Sequence, residues 1–225
     1  MEGIKKPLEE LISFKEIKNS LKDEIGMIQI SGLVSSQRTH MMYALGDGFK
    51  YKIILCSSEL KAKEIYEEFK CLEEDVYYYP AKDLLFYQAD LRSKDILKAR
   101  AELIDALIRK EPLTLVTDFS SLMDPVVGLE SIEKNIRIIR NDDSISLNEW
   151  ATFLTKNGYE RCGQVDSLGQ FAIRGGILDI FPLTMDHPVR IELWGDEVDS
   201  IRVFDVLSQR SLEPIEEVRI FPATD

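Results

Sequence analysis

Apolar residues recur every three or four positions at the start of the chain. Leu8, Leu11, Phe14, Ile17 and Leu21 form one stripe, which predicts an amphipathic helix over residues 7–22. GMIQISG follows, a short apolar run closed by a glycine and read as a buried strand at 26–32. SSQRTHMMYAL reads as a helix, and YKIILCSS as a second strand, mostly apolar and β-branched as buried parallel strands are. A Lys- and Glu-rich amphipathic helix is expected from Glu59 to Cys71, and a third short strand at VYYYP. Ser93 to Lys110 is expected to be a helix, with Ile96, Leu97, Ala101, Leu103, Ile104 and Leu107 toward one side. LTLVTDF is a fourth strand. The alternation of strand and helix predicts a parallel sheet covered by helices on both faces.

Beyond Gly128 the pattern changes. NIRIIR reads as a strand, and Leu147 to Asn157 as a short helix ended by Asn-Gly. QFAIRG, GILDIF, VRIELW and EVDSIRVFD are short alternating runs separated by Gly, Pro and Asp turns, the pattern of an antiparallel sheet. EEVRIFPATD begins a further strand and breaks off, so the chain is expected to continue past residue 225. No internal repeat or low-complexity tract is present. The cations change with the pattern: 14 of the 16 lysines lie in 1–128, and 8 of the 12 arginines in 129–225. Arginine is favoured where planar, directional recognition is needed; drift between two domains would give the same bias. Both readings put a boundary near residue 128.

Composition narrows the options. The chain has 225 residues, 44% hydrophobic and 30% charged, enough for one large or two modest soluble domains. A net charge of -12 argues against a nucleic-acid backbone as the main partner. Cys56, Cys71 and Cys162 form no C-x-x-C pair and read as reduced cytosolic thiols, not as a disulfide framework or a zinc site. With only His40 and His187, a histidine-rich metal site is not expected. The charged, amphipathic start lacks the apolar core of a signal peptide, and no apolar run approaches a membrane span.

Two places could carry function. A P-loop reads G-x-x-x-x-G-K-[ST] between a strand and a helix: backbone N–H groups enclose phosphate, lysine reaches the β- and γ-phosphates, and the hydroxyl binds Mg²⁺. Here the run is Gly32, Leu33, Val34, Ser35, Ser36, Gln37, Arg38, Thr39. The spacing, first glycine and threonine remain. Gln37 stands in place of the second glycine, and Arg38, a wide fork, in place of the lysine. Asp118 is the nearest candidate for the Mg²⁺-binding acid. The plainer reading is any strand-to-helix turn with one glycine. The second place is the later sheet. Alternation turns Ile191 and Leu193 to the core and leaves Arg190, Glu192 and Trp194 on the outer face. Arg174 stands opposite Phe171 and Ile173 in the same way. Two arginines and a tryptophan resemble a protein-binding hot spot. The competing reading pairs Arg190 with Glu192 or Asp196 and folds Trp194 over a sheet end.

GQFAIRGGILDIFPL, PVRIELWGDEVDSIRVFD and QRS together resemble the N-terminal region of the bacterial transcription-repair coupling factors (Mfd), itself similar to the excision-repair protein UvrB. Weaker agreement in the loop and in the YYP and LTLVTDFSSLMDP segments extends the likeness over nearly the whole chain. The UvrB proteins insert a tyrosine-rich hairpin that clamps DNA. Tyr77, Tyr78 and Tyr79 suggest it, but Pro80 and Asp83 follow too closely to leave room, so a buried strand edge is expected.

The resemblance implies a module that recruits UvrA, with contacts on Arg174, Arg190 and Trp194. The family often has phenylalanine at the last of these positions. The expected architecture is α/β: a degenerate P-loop, helicase-like parallel-sheet domain over 1–128, a smaller α+β UvrA-binding domain with an antiparallel sheet over 129–213, and a tail at 214–225 returning to the first domain. No catalysis, cofactor or metal is expected of these residues. ATP, Mg²⁺, RNA polymerase and DNA belong, by the resemblance, to later domains of a cytoplasmic bacterial translocase, one of which could mask the Arg190 face. The alternative is a UvrB-type fragment that binds ATP and damaged DNA.

Overall fold

The computed structural model describes residues 2–21, 26–82 and 90–223. Asp83, invoked above, lies outside them. In chain order the elements begin with α1 (Glu2–Glu9), α2 (Ile12–Ser20), α3 (Ser36–Leu45), β1 (Tyr51–Cys56), α4 (Glu59–Lys70) and β2 (Val76–Tyr79). Next come α5 (Asp90–Arg109), β3 (Leu113–Asp118), α6 (Phe119–Leu122), α7 (Leu129–Asn135), β4 (Arg137–Arg140) and α8 (Leu147–Lys156). The last strands are β5 (Glu160–Arg161), β6 (Gln170–Arg174), β7 (Ile177–Ile180), β8 (Val189–Trp194), β9 (Glu197–Phe204), β10 (Ser211–Pro214) and β11 (Glu217–Ile220). They gather into two compact units, Met1–Tyr79 with Lys110–Leu122, and Pro80–Arg109 with Met123–Asp225.

The first unit holds a parallel sheet in the order β1-β3-β2. Helix α4 forms where expected. Ser58 caps it by accepting from the Lys61 N–H at 3.3 Å, and Ala62, Ile65 and Phe69 recur on one buried side. That side packs with Tyr43, Cys56, Val76 and Val116. Two expectations fail here. The single helix over 7–22 is two helices, broken between Glu9 and Ile12, with Phe14 buried and Leu11 half exposed. GMIQISG is no strand: residues 26–31 are irregular and exposed, Met27 to 98%. Its apolar residues have no strand beside them to supply ladder bonds, so periodicity alone could not make them a strand. Among the described residues the sheet therefore has three strands, and Tyr51, Ile53 and Leu55 of β1 are exposed, Ile53 to 69%.

The second unit holds a six-stranded sheet, β10-β9-β8-β7-β6-β5, antiparallel except for the short β5–β6 pair. Phe171, Leu178, Ile180, Val189, Ile191 and Ile201 face a core shared with Trp150, Phe153 and Leu154 of α8. Those three recur at i, i+3 and i+4, which makes α8 amphipathic. Ser146 caps it, accepting from the Glu149 N–H at 3.4 Å, and Gly158 at φ +84° lets the chain turn off its end. Two boundaries move. The helix expected at 93–110 in the first domain packs Leu97 and Ala101 into this core instead. The tail from Pro214, expected to return to the first domain, is held here, since β11 pairs antiparallel with β4 from Glu217↔Arg140 to Ile220↔Arg137. Phe221 is buried with Ile104 and Ile132, and its carbonyl accepts from the Tyr159 hydroxyl at 2.9 Å.

Candidate partner-docking face

The run from Gly32 to Thr39 enters α3 at Ser36, and among the described residues no strand leads into it, so the strand–loop–helix frame of a P-loop is not formed there. Its groups are turned onto the protein. The Arg38 Nε donates to the Leu33 carbonyl at 3.0 Å, and the Val34 N–H donates to Gln37 Oε1 at 3.2 Å. The buried Thr39 hydroxyl donates to the Glu68 carboxylate. The hydroxyl that would bind Mg²⁺ in a P-loop is therefore taken up by an acid of α4. Gly32 at φ +81° and Ser35 at φ +37° set the path of the loop.

Asp118, the nearest candidate for a Mg²⁺-binding acid, is buried and serves as a helix cap. Its Oδ1 accepts from the Ser120 N–H at 2.8 Å and from the Ser120 hydroxyl, and its Oδ2 accepts from the Ser121 hydroxyl at 2.9 Å. Burial pushes this carboxyl up, but the bonds from Ser120 and Ser121 outweigh it and hold the group below the usual carboxylate value. Tyr79 is buried on the edge strand β2, and Tyr78 stacks at a tilt 5.7 Å from Tyr66, as expected of a strand edge. Among the described residues no group of three or more His, Cys, Asp or Glu is placed to hold a metal, and no helix is long and apolar enough to cross a membrane.

The second sheet brings its three predicted residues together. Arg174↔Ile177 closes β6–β7 through the two-residue turn Gly175-Gly176, and Trp194↔Glu197 closes β8–β9 through Gly195-Asp196. Both turns need a glycine at positive φ, Gly175 at +60° and Gly195 at +67°. The Leu193 N–H donates to the Gly176 carbonyl at 2.8 Å, which sets the two hairpin ends side by side. A Cβ on Gly176 would lie 2.9 Å from the Leu193 carbonyl oxygen, so only glycine allows this approach.

Register and alternation place Arg174, Asp179, Arg190, Glu192 and Trp194 on the side away from the core. Trp194 is 85% exposed there. The Arg174 side chain is 51% exposed and its Nη2 donates to Asp179 Oδ2 at 2.8 Å. Arg190 is engaged on all sides. Its Nε and Nη2 grip both oxygens of Asp179 at 2.7 and 2.9 Å, its Nη1 reaches the Gln209 carbonyl at 3.5 Å, and its guanidinium lies 4.7 Å over the Phe204 ring. The Asp179 hydrogen bond raises the Arg190 pKa further against a smaller opposing effect of burial. The competing reading, a pair with Glu192 or Asp196, gives way to Asp179. Glu192 accepts from Ser200 instead, at 3.1 Å. Asp179 was the residue missed. The signal was present, because one acid alternating out of the apolar run Ile177–Ile180 must lie beside the arginine of the next strand.

With the face described, its relatives can be compared. Residues 138–225, which contain every residue of this face, match the family model of the UvrB interaction domain. Over its full length the chain is 32% identical to the transcription-repair-coupling factor of Bacillus subtilis (strain 168), covering 19% of that protein. The chain is a homologue of the transcription-repair-coupling factors. The homologue from Staphylococcus aureus (strain bovine RF122 / ET3-1) is 34% identical over 68% of this chain and 13% of its own length. The chain thus spans about a fifth or less of the coupling factors it matches.

Proposed function

We propose that this chain is the part of a transcription-repair coupling factor that recruits UvrA in nucleotide excision repair, and that Arg174, Arg190 and Trp194 mark the docking face. The observation that carries this reading is Trp194, a large apolar side chain held 85% exposed at the rigid hairpin end beside a half-exposed arginine. Exposed tryptophan is costly unless a partner covers it, and Trp and Arg dominate interface hot spots. The face also falls inside the segment similar to the UvrB interaction domain.

In this reading the chain hydrolyses no nucleotide. ATP, Mg²⁺, DNA and RNA polymerase are left to other parts of a longer cytoplasmic protein, and one of those parts could mask the face. A pull-down of purified UvrA tests it. Trp194→Ala and Arg174→Ala should each weaken capture by about tenfold or more, since a hot-spot residue contributes about 2 kcal/mol. Normal capture by both variants would overturn the assignment. The rival reading, a UvrB-type fragment binding ATP and damaged DNA, requires a phosphate cradle at Gly32–Thr39. Tight binding of ATP with Mg²⁺ in calorimetry would favour it.

A further inference from the structure

We propose that Asp179 is the positioning residue of the docking face, holding the Arg174 guanidinium in place before a partner arrives. This rests on the UvrA-docking reading above. The Asp179 carboxylate is fully buried, although it lies on the side of the sheet that carries the face. A buried charge must be compensated nearby. Its Oδ1 is taken by Arg190, and its Oδ2 is shared between Arg190 and Arg174.

The two guanidiniums hold unequal positions. Arg190, with a side chain 16% exposed, spends Nε and Nη2 on Asp179, turns Nη1 to the Gln209 carbonyl and lays its plane on Phe204. Arg174 spends only Nη2, and the rest of its fork stays outside, next to the hairpin end that carries Trp194. Two like charges on neighbouring strands would push apart without the carboxylate between them. With it, Arg174 is fixed in one orientation before a partner arrives, so the entropy of ordering a long side chain does not count against binding.

The test separates positioning from stability. Asp179→Asn leaves the largely buried Arg190 cation without its carboxylate and can unfold the unit, so the decisive variant is the apolar pair Asp179→Leu with Arg190→Met, because a buried ion pair replaced by apolar groups of similar size usually folds. The control is Arg190→Met alone, in which Asp179 still holds Arg174. Each is measured for thermal unfolding, for UvrA affinity and for the NMR signal of the Arg174 guanidinium. The expected result is that the folded double variant binds about tenfold or more weakly than Arg190→Met alone, and that its Arg174 signal becomes rotationally averaged while that of Arg190→Met does not. A double variant that binds as the control does would overturn the proposal. So would an Arg174 guanidinium already averaged in the parent, a measurement that needs no UvrA. If Trp194→Ala and Arg174→Ala also bind normally, the docking reading fails; if they lose affinity and only the double variant does not, the failure belongs to Asp179.

Discussion

Arg38 and Arg174 show how differently two parts of one chain treat the same side chain. Arg38 stands where a P-loop would have its lysine, and Arg174 is a candidate partner contact. Arg38 sits in the first turn of α3 and folds back onto the Leu33 carbonyl of the irregular loop before it. Arg174 closes a two-residue hairpin, is anchored by a buried acid, and keeps half its surface in solvent. An arginine beside irregular backbone finds an unsatisfied carbonyl and takes it. Arg174, at the end of a paired strand, holds to a side chain instead and still points outward. Backbone satisfaction, more than residue type, decides which cation is available to a partner.

Four experiments would break or sharpen this contrast. The largest effect should come from Leu178→Ala, which removes a fully buried side chain from the core beneath the face. A cavity of that kind costs about 2–5 kcal/mol, seen as a lower midpoint in denaturant unfolding. UvrA capture should fall with it, and a variant that unfolds while keeping full capture would detach the face from its scaffold.

Asp118→Ala comes next, at about 1.5–3 kcal/mol for lost bonds to a charged group. Its pH dependence has a definite sign. The folded carboxyl lies below its ordinary value, so the stability it supplies is complete above the unfolded value of about 4 and is lost as pH falls through the lowered folded one. The gap between Asp118→Ala and the parent should therefore be constant at neutral pH and close in acid. A gap that widens on acidification would be incompatible with the capping role.

Trp194→Ala should change binding and little else: about 2 kcal/mol of UvrA affinity with no loss of thermal stability, because the indole is solvated in the free protein. A clear drop in stability would mean that the tryptophan packs where it was placed in solvent. The smallest effect is expected of Gln37→Gly with Arg38→Lys, which restores the P-loop letters. With Thr39 bonded to Glu68 and no strand before the loop, ATP and Mg²⁺ should give no binding heat. A tight complex would show that sequence spacing alone can rebuild the cradle, and the contrast would collapse.

Much of this was readable beforehand, and unevenly. Ala62, Ile65 and Phe69 announced α4, and strict alternation through Phe171–Arg174 and Arg190–Trp194 put the right residues on the outer side of the second sheet. Helical and strand periods are local properties, repeated by each residue against its near neighbours. GMIQISG misled because a short apolar run is a strand only when another strand supplies its hydrogen bonds. The competing reading pairs Arg190 with Glu192 or Asp196 because they are near along the chain, while the actual partner, Asp179, lies across the sheet.

By itself, then, the sequence determined the periods, the turns at Gly175 and Gly195, and the outward set Arg174, Arg190 and Trp194. Only the tertiary structure decided that α5 and the tail at β11 belong with the second unit, that Asp118 is a cap, and that Asp179 lies buried between two arginines. The first group depends on dihedral angles and spacing within a few residues. The second depends on which distant groups burial forces together, where an unpaired charge or hydrogen bond costs more than local preference can supply.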